Sequence, residues 1–232
     1  MKVILTGVTG YFGPEVLRQC VANNQITSIV TLARRDLPDE FQNEKKITAL
    51  KVENFGEFSD DSLEKMAGAS GCIWMMGTTP YKMKGMSPEE LAKINTEWPP
   101  QAARTFSTKL GLPEGQKFRF IYTSGFLVPD SEEPEKKMWF GEEIRKGRWW
   151  TEKYLFAAAK EIPLEVFIGK PGWITEGDVL HHFLGGRYTV KKSDMAAAYI
   201  DVILNGCEKR VLTNQNLRDY GAKALKKLAS AE

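Results

Sequence analysis

Histidine and cysteine are scarce in this chain, and no charge of one sign dominates it. The only histidines in its 232 residues are His181 and His182. Cys20, Cys72 and Cys207 are odd in number, far apart and without metal-ligand spacing, which argues against a disulfide framework and a cysteine-held metal; no metal is expected. No Asn-x-Ser/Thr sequon is present, and together with the cysteines this favours a reducing compartment. The 32 basic and 30 acidic side chains nearly cancel, so neither nucleic acid nor a membrane surface is an expected partner. No apolar run reaches membrane-spanning length, and no charged n-region precedes an apolar h-region. The expectation is a soluble cytoplasmic protein, monomeric or homodimeric, acting on a small molecule. Internal repeats and low-complexity linkers are missing. Lys223, Lys226 and Lys227 fall on a helical pattern with Ala222, Leu225 and Leu228, a solvated helix face.

The most informative segment present is Leu5-Thr6-Gly7-Val8-Thr9-Gly10-Tyr11-Phe12-Gly13-Pro14. It follows the apolar run Val3-Ile4-Leu5 and opens a helix whose buried stripe is Val16, Leu17, Cys20 and Val21. Strand, glycine turn and helix is the context of a dinucleotide-binding fingerprint. Gly7 permits the tight turn, Gly10 lets backbone approach a pyrophosphate, and Gly13 allows close packing of helix on strand. The helix N-terminus offers N–H groups and a positive dipole end to the anion. Pro14 suits the first helical turn.

Strands and helices alternate thereafter, which predicts a parallel sheet covered on both faces, a doubly wound α/β fold. Strands are expected at Ser28–Leu32, Ile47–Val52, Gly71–Met76, Phe118–Tyr122 and Leu164–Ile168. Helices are expected at Ser62–Ala67, from a capping box at Ser87, at Glu142–Lys160, and from a Ser193 cap to Leu204, closed by Asn205-Gly206. Pro99-Pro100 should kink or interrupt the helix begun at Ser87. The irregular stretches after strands four and five are candidate pocket walls, because ligands in such sheets lie outside the carboxyl ends of strands.

An NAD site places an acid about 20 residues beyond the glycines, on the ribose hydroxyls. Here strand two ends Leu32-Ala33-Arg34-Arg35. A guanidinium attracts a 2′-phosphate and can hold it bidentately, so Arg34, helped by Arg35, points to NADP(H). The plainer reading is a solvated basic pair, with Asp36 as a partner.

With these residues, and with Ile121-Tyr122-Thr123-Ser124-Gly125, Lys146-Gly147, Lys170-Pro171-Gly172 and Asp194-Met195-Ala196, the whole chain resembles the atypical short-chain dehydrogenase/reductases, nearest the NmrA-like and Tat-interacting-protein-type branch. The resemblance implies one Rossmann domain over residues 1–232, strand order 3-2-1-4-5-6, with a substrate-covering region from about 78–86, 126–141 and 173–192. It implies a nicotinamide over the tips of strands four to six, with cofactor contacts from Gly7, Thr9, Gly10, Tyr11, Phe12, Gly13, Arg34, Arg35, Gly77, Thr78, Lys146, Pro171 and Gly172. Active members of the family carry a serine, and a tyrosine four residues before a lysine. Ser124 matches the serine and Lys146 the lysine, but the tyrosine position is Glu142. Glu142 would be a proton donor if burial raised its pKa, and a poor one if Lys146 lowered it; a surface Glu-Lys pair reads equally well. His181, His182 and Tyr81 are other candidates for the proton.

Trp139 and Trp173 are expected to wall a pocket for a flat apolar or aromatic substrate, and Trp74 and a Trp150-Tyr154-Ala157 stripe to pack in the core. The leading reading is an NADP(H)-dependent oxidoreductase of a carbonyl, enone or quinone metabolite. The alternatives are a nonredox NADP(H)-binding regulator and a nonredox isomerase or cyclase.

Overall fold

The computed structural model of the chain describes residues 1–78, 83, 85–130, 141–177 and 187–230. The apolar run near the N-terminus becomes β1 (Lys2–Thr6), buried because strands flank it on both sides. It pairs in parallel with β2 (Ser28–Ala33), from Lys2↔Ser28 to Thr6↔Leu32, and with β4 (Gly71–Trp74), from Val3↔Gly71 to Thr6↔Trp74. β3 (Ile47–Lys51), β5 (Phe118–Thr123), β6 (Leu164–Lys170) and β9 (Val211–Thr213) complete a seven-stranded parallel sheet of order β3-β2-β1-β4-β5-β6-β9. The expected order is present, extended by β9, whose three residues are too few to show a period. β7 (Trp173–Thr175) and β8 (Thr189–Lys191) form a separate parallel pair.

Successive strand residues point to opposite faces, so the continuous apolar runs feed two cores. Val3, Leu5, Ile29, Ile73, Ile121 and Phe167 pack with α1 (Gly13–Ala22), α6 (Lys192–Asn205) and α7 (Asn214–Ala229). Ile4, Val30, Cys72, Trp74, Phe120 and Val166 pack with α2 (Asp60–Met66), α4 (Trp98–Lys109) and α5 (Glu142–Ala158). Trp74 is wholly buried, as expected.

Two local expectations are corrected, and a third is met in a particular form. The α-helix begun at Ser87 is interrupted just before the double proline: α3 (Pro88–Ala92), capped by the Ser87–Glu90 box, gives way to a π turn (Lys93–Glu97), and α4 begins at Trp98. The π turn resets the hydrogen-bond ladder, so Pro99 and Pro100 fall in a first turn that needs no N–H from them. Ser193 is not a cap, because α6 starts one residue earlier, with Lys191 as N-cap and no side-chain capping bond. The Trp150-Tyr154-Ala157 stripe lies outside: Trp150 stacks on Tyr154 at 5.7 Å, Tyr154 is 48% exposed, and the buried face is Thr151, Glu152, Leu155 and Ala158. That face turns a carboxylate toward the sheet.

The basic face of α7 is exposed at Lys223, Lys226 and Lys227, and the helix packs instead through Leu217 and Gly221. A Cβ on Gly221 would lie 1.9 Å from the Asp194 carbonyl oxygen and 2.4 Å from its carbon. Gly221→Ala should therefore lower stability by about 1–3 kcal/mol through overpacking, despite the roughly 1 kcal/mol of helix propensity that alanine gains. Urea titration checks this. An unchanged midpoint would show that α6 and α7 part without cost.

Candidate functional site

Two glycines of the turn after β1, Gly7 and Gly13, are required by backbone contacts. Gly7 has φ +72°, and a Cβ there would sit 2.8–2.9 Å from the Met75–Met76 backbone on the neighbouring strand. Gly10 closes the turn by donating to the Gly7 carbonyl at 2.9 Å. A Cβ on Gly13 would lie 2.2 Å from that carbonyl oxygen and 2.5 Å from Val8 Cα. Helix α1 starts from Phe12 with no side-chain cap; Pro14 has no N–H and Glu15 donates to the Phe12 carbonyl at 3.2 Å, which leaves the Gly13 N–H at the helix start for an anion. Phe12 is anchored edge-on against Tyr199 at 5.8 Å, whereas Tyr11 is exposed beneath the Lys192 ammonium, 3.6 Å from its ring centre.

At the end of β2, Arg35 reaches over this turn and donates to the Thr9 carbonyl and hydroxyl at 3.1 and 3.3 Å. Arg34 is exposed beside it. Asp36 pairs with Lys51 of β3 at 3.2 Å and so does not occupy the arginines. Two guanidinium groups thus stand by a glycine turn with an open N–H group, a donor set that fits a phosphorylated dinucleotide.

The tips of β4, β5 and β6 carry a polar cluster. Ser124, 3% exposed, donates from Oγ to Glu152 Oε1 at 2.5 Å. Glu152 is wholly buried, and Lys170 Nζ lies 2.9 Å from its Oε2. Lys170 also donates to the Val128 and Pro129 carbonyls at 3.2 and 2.9 Å. Burial pushes the Glu152 carboxyl above its ordinary range, although the Lys170 charge and the Ser124 and Lys170 hydrogen bonds pull it back and Asp130 pushes it up further. Arg148, one turn earlier on the same face of α5, donates to the Ser124 carbonyl at 3.2 Å and the Thr78 carbonyl at 2.9 Å. It lies over two glycines: a Cβ on Gly125 would come within 2.8 Å of the guanidinium, and one on Gly77 within 3.7 Å. Thr78 is held in turn by Asn95 of the π turn, whose Nδ2 donates to its hydroxyl at 2.7 Å. Thr151 Oγ1 donates to the Asn95 carbonyl, locking the π turn to α5. Tyr122 is buried beneath, its phenol pushed up to about 12 by burial.

The structure brings Ser124 to Arg148 and Glu152, not to Lys146 and Glu142. Those two lie 3.9 Å apart with side chains 40% and 41% exposed. The sheet-facing line of α5 runs through Ile144, Arg148, Glu152 and Leu155, and positions 142 and 146 fall off it. Pro171 and Gly172 meet the tips of β5 and β8: Phe126 donates to the Pro171 carbonyl at 2.9 Å, and a Cβ on Gly172 would lie 2.1 Å from the Tyr188 carbonyl oxygen. Phe126 and Tyr188 meet edge-on at 5.9 Å, and Trp173 beside them is 66% exposed. Tyr81, Trp139, His181 and His182 lie outside the described residues. Among the described residues no group of side chains could hold a metal ion. Arg148, Glu152, Lys170 and Asn95 were missed from sequence. The legible signal was a charge at each of two core positions of an amphipathic helix, Arg148 and Glu152.

No family model matches the chain. Leucinostatins biosynthesis cluster protein T of Purpureocillium lilacinum is 29% identical over 124 residues, which are 53% of this chain and 42% of that protein. The matched stretch thus spans less than half of that curated relative. Among solved structures, the dTDP-glucose 4,6-dehydratase DesIV of Streptomyces venezuelae, with NAD and TYD bound, superposes with TM-score 0.69 at 11% identity, over 99% of this chain and 81% of that one. Gre2 of Candida albicans in complex with NADPH gives 0.70 at 14%, over 92% and 77%. The oxidoreductase ylbE of Lactococcus lactis gives 0.63 at 18%, over 97% of each chain. The chain shares with them the Rossmann-type fold.

Proposed function

We propose that this chain is an NADP(H)-dependent oxidoreductase acting on a small apolar or aromatic carbonyl, enone or quinone compound. The observation that carries the reading is the glycine turn of β1 with Arg35 fixed across it on Thr9 and Arg34 exposed alongside. Gly7, Gly10, Gly13 and the start of α1 would hold the pyrophosphate, and the two arginines the 2′-phosphate. Bound NADPH would supply a hydride. This chain's residues orient and polarise the acceptor at the tips of β4 and β5, where Arg148, Ser124 and Thr78 meet. Exposed Phe126, Tyr188 and Trp173 offer aromatic surface next to Pro171 and Gly172, which suits a flat substrate. The segments about 78–86, 126–141 and 173–192 would cover it. The reading assigns no chemistry to the half-exposed Glu142–Lys146 pair. No described helix is long and apolar enough to cross a membrane, in keeping with a cytoplasmic setting.

The test is fluorescence titration of NADPH and NADH against wild type, Arg34→Ala and Arg35→Ala. The wild type should prefer NADPH, and loss of the phosphate-binding guanidinium should cost about 1.5–3 kcal/mol of NADPH affinity, with little effect on NADH. Arg35→Ala also frees Thr9, so it should weaken both cofactors somewhat. Equal affinities for the two in the wild type would refute the preference for NADP(H). Tight NADPH binding without oxidation by any acceptor would favour a regulator, a reading to which the lack of a tyrosine hydroxyl bonded to Ser124 among the described residues also lends weight.

A further inference from the structure

Resting on that reading, we propose that Arg148 and the Ser124–Glu152 pair replace the phenolic acid of related reductases: the Arg148 guanidinium holds the oxygen of the acceptor as it gains charge, and Glu152 delivers the proton to it through Ser124 Oγ. A guanidinium keeps its proton at any working pH, so Arg148 can stabilise an oxyanion but cannot protonate it. Its fork is fixed by the Ser124 and Thr78 carbonyls, with further N–H donors left for a ligand, and Gly77 and Gly125 leave the space in which it lies. An electrophile so fixed needs no reorganisation when charge develops, the condition under which electrostatic stabilisation is strongest.

The proton has to come from elsewhere. Lys170 donates to two carbonyls and lies against Glu152, so its protons are committed to holding the loop after β5. Tyr122, pushed up to about 12, keeps its proton and lies buried. The groups facing Glu152 are Ser124 and Tyr122 from β5, Asp130 beyond it, Lys170 from β6 and Arg148 on its own helix. Among the described residues Glu152 is the one carboxyl in direct hydrogen-bond contact with Ser124, and burial has raised its affinity for a proton. When Glu152 is protonated, the 2.5 Å contact can run in reverse, with the carboxyl O–H donating to Ser124 Oγ and the serine O–H donating outward.

The step balances. Bound NADPH, held at the β1 glycine turn with Arg34 and Arg35, would supply the hydride and both electrons; the acceptor oxygen that gains the π pair of the C=O bond lies beside Arg148. That oxygen takes the Ser124 hydroxyl proton while Ser124 Oγ takes the Glu152 proton. Glu152 is left as a carboxylate against Lys170 and recovers a proton from solvent.

The test uses the whole chain, with 4-nitrophenol as an aromatic oxyanion probe whose ionisation is read by its visible absorbance. Wild type, with and without NADP+, should bind it as phenolate and lower its pKa. Arg148→Gln should weaken phenolate binding at least tenfold, and Arg148→Lys should restore part of the loss. In single turnover, NADPH oxidation should slow as pH rises through the Glu152 pKa. Glu152→Gln should lose that limb and about 10²-fold in rate, the size of a general-acid contribution, and Ser124→Ala should do the same. Infrared difference spectra should show a protonated-carboxyl band that titrates in wild type and is missing in Glu152→Gln, a readout independent of turnover. Unaltered phenolate binding in Arg148→Gln, or an unchanged pH profile in Glu152→Gln, overturns the inference. Failure of wild type to bind NADPH, with the phenolate response intact, overturns the oxidoreductase reading and leaves the oxyanion site standing.

Discussion

Lys170→Met should destabilise the fold by about 3–5 kcal/mol at pH 8, the cost of stranding a buried charge, and by much less at pH 5. Lys170 lies 2.9 Å from a carboxylate with no exposed surface, and it is the strongest influence holding the Glu152 pKa down against burial. Removing it lets the folded-state pKa climb further. The sign follows from proton counting. A carboxyl whose folded pKa lies above its ordinary value of 4.5 holds more proton when folded than when unfolded. Stability then falls as pH rises from that ordinary value to the folded one, and the loss is complete above it. The penalty in Lys170→Met should therefore grow with pH, whereas the wild type, with a smaller upward shift, should show a shallower decline. Urea titrations at pH 5 and pH 8 measure it. A second contribution, loss of the hydrogen bonds to the Val128 and Pro129 carbonyls, does not depend on pH and sets a floor. The double variant Lys170→Met, Glu152→Gln removes both charges and should recover most of the pH-dependent part. An equal penalty at both pH values would mean that Glu152 is not ionised in the folded protein, or that Lys170 does not control it.

The parts of this molecule that were legible in its sequence are those set by local chemistry. Gly7, Gly10 and Gly13 announce the turn, Gly7 and Gly13 because only glycine meets the contacts found there, and the runs from Val3 to Leu5 and Phe118 to Tyr122 announce strands buried on both faces. β9 was not legible: three residues give no period, and its place is fixed by pairing with the far end of β6. The interruption before Pro99-Pro100 was legible but its form was not, because a π turn is a property of backbone register, which proline content does not reveal. At the site, Ser124 was named from the family resemblance, which supplies a serine at that position. Its partners were not, because attention to the Glu142–Lys146 spacing hid a second pair, Arg148 and Glu152, at the same spacing and on the buried line of the helix. A buried glutamate is costly unless paired. The cation that pairs with it, Lys170, is at the end of β6, a distance in sequence that no local pattern spans. Arg34 and Arg35 were named together, and only the direction in which the chain leaves β2 puts Arg35 on Thr9.

Gly13→Ala should cost the chain its cofactor as well as part of its stability. The added methyl would sit 2.2 Å from the Gly7 carbonyl oxygen, 2.5 Å from Val8 Cα and 2.8 Å from the Gly7 carbonyl carbon, all backbone atoms of the turn. None can swing aside as a side chain would, so either the turn opens or α1 slides away from β1. Overpacking of this kind costs about 1–3 kcal/mol of stability. The consequence for binding is larger, because the displaced parts are the N–H group at the start of α1 and the turn that would carry the pyrophosphate. A loss of at least a hundredfold in NADPH affinity is expected, equivalent to about 3 kcal/mol. Gly10→Ala separates the two effects. Its Cβ would meet only the Gly7 carbonyl oxygen, at 3.1 Å, a contact that a small shift relieves. That variant should melt close to wild type yet bind NADPH poorly, since its methyl crowds the face of the turn that backbone must present to the ligand. Thermal melting and NADPH titration on both variants decide the matter. Wild-type NADPH affinity in a folded Gly13→Ala protein would show that the turn is not where the dinucleotide binds. A binding loss in both variants, with a stability loss in Gly13→Ala alone, would separate the glycine that packs helix on strand from the one that faces the phosphate.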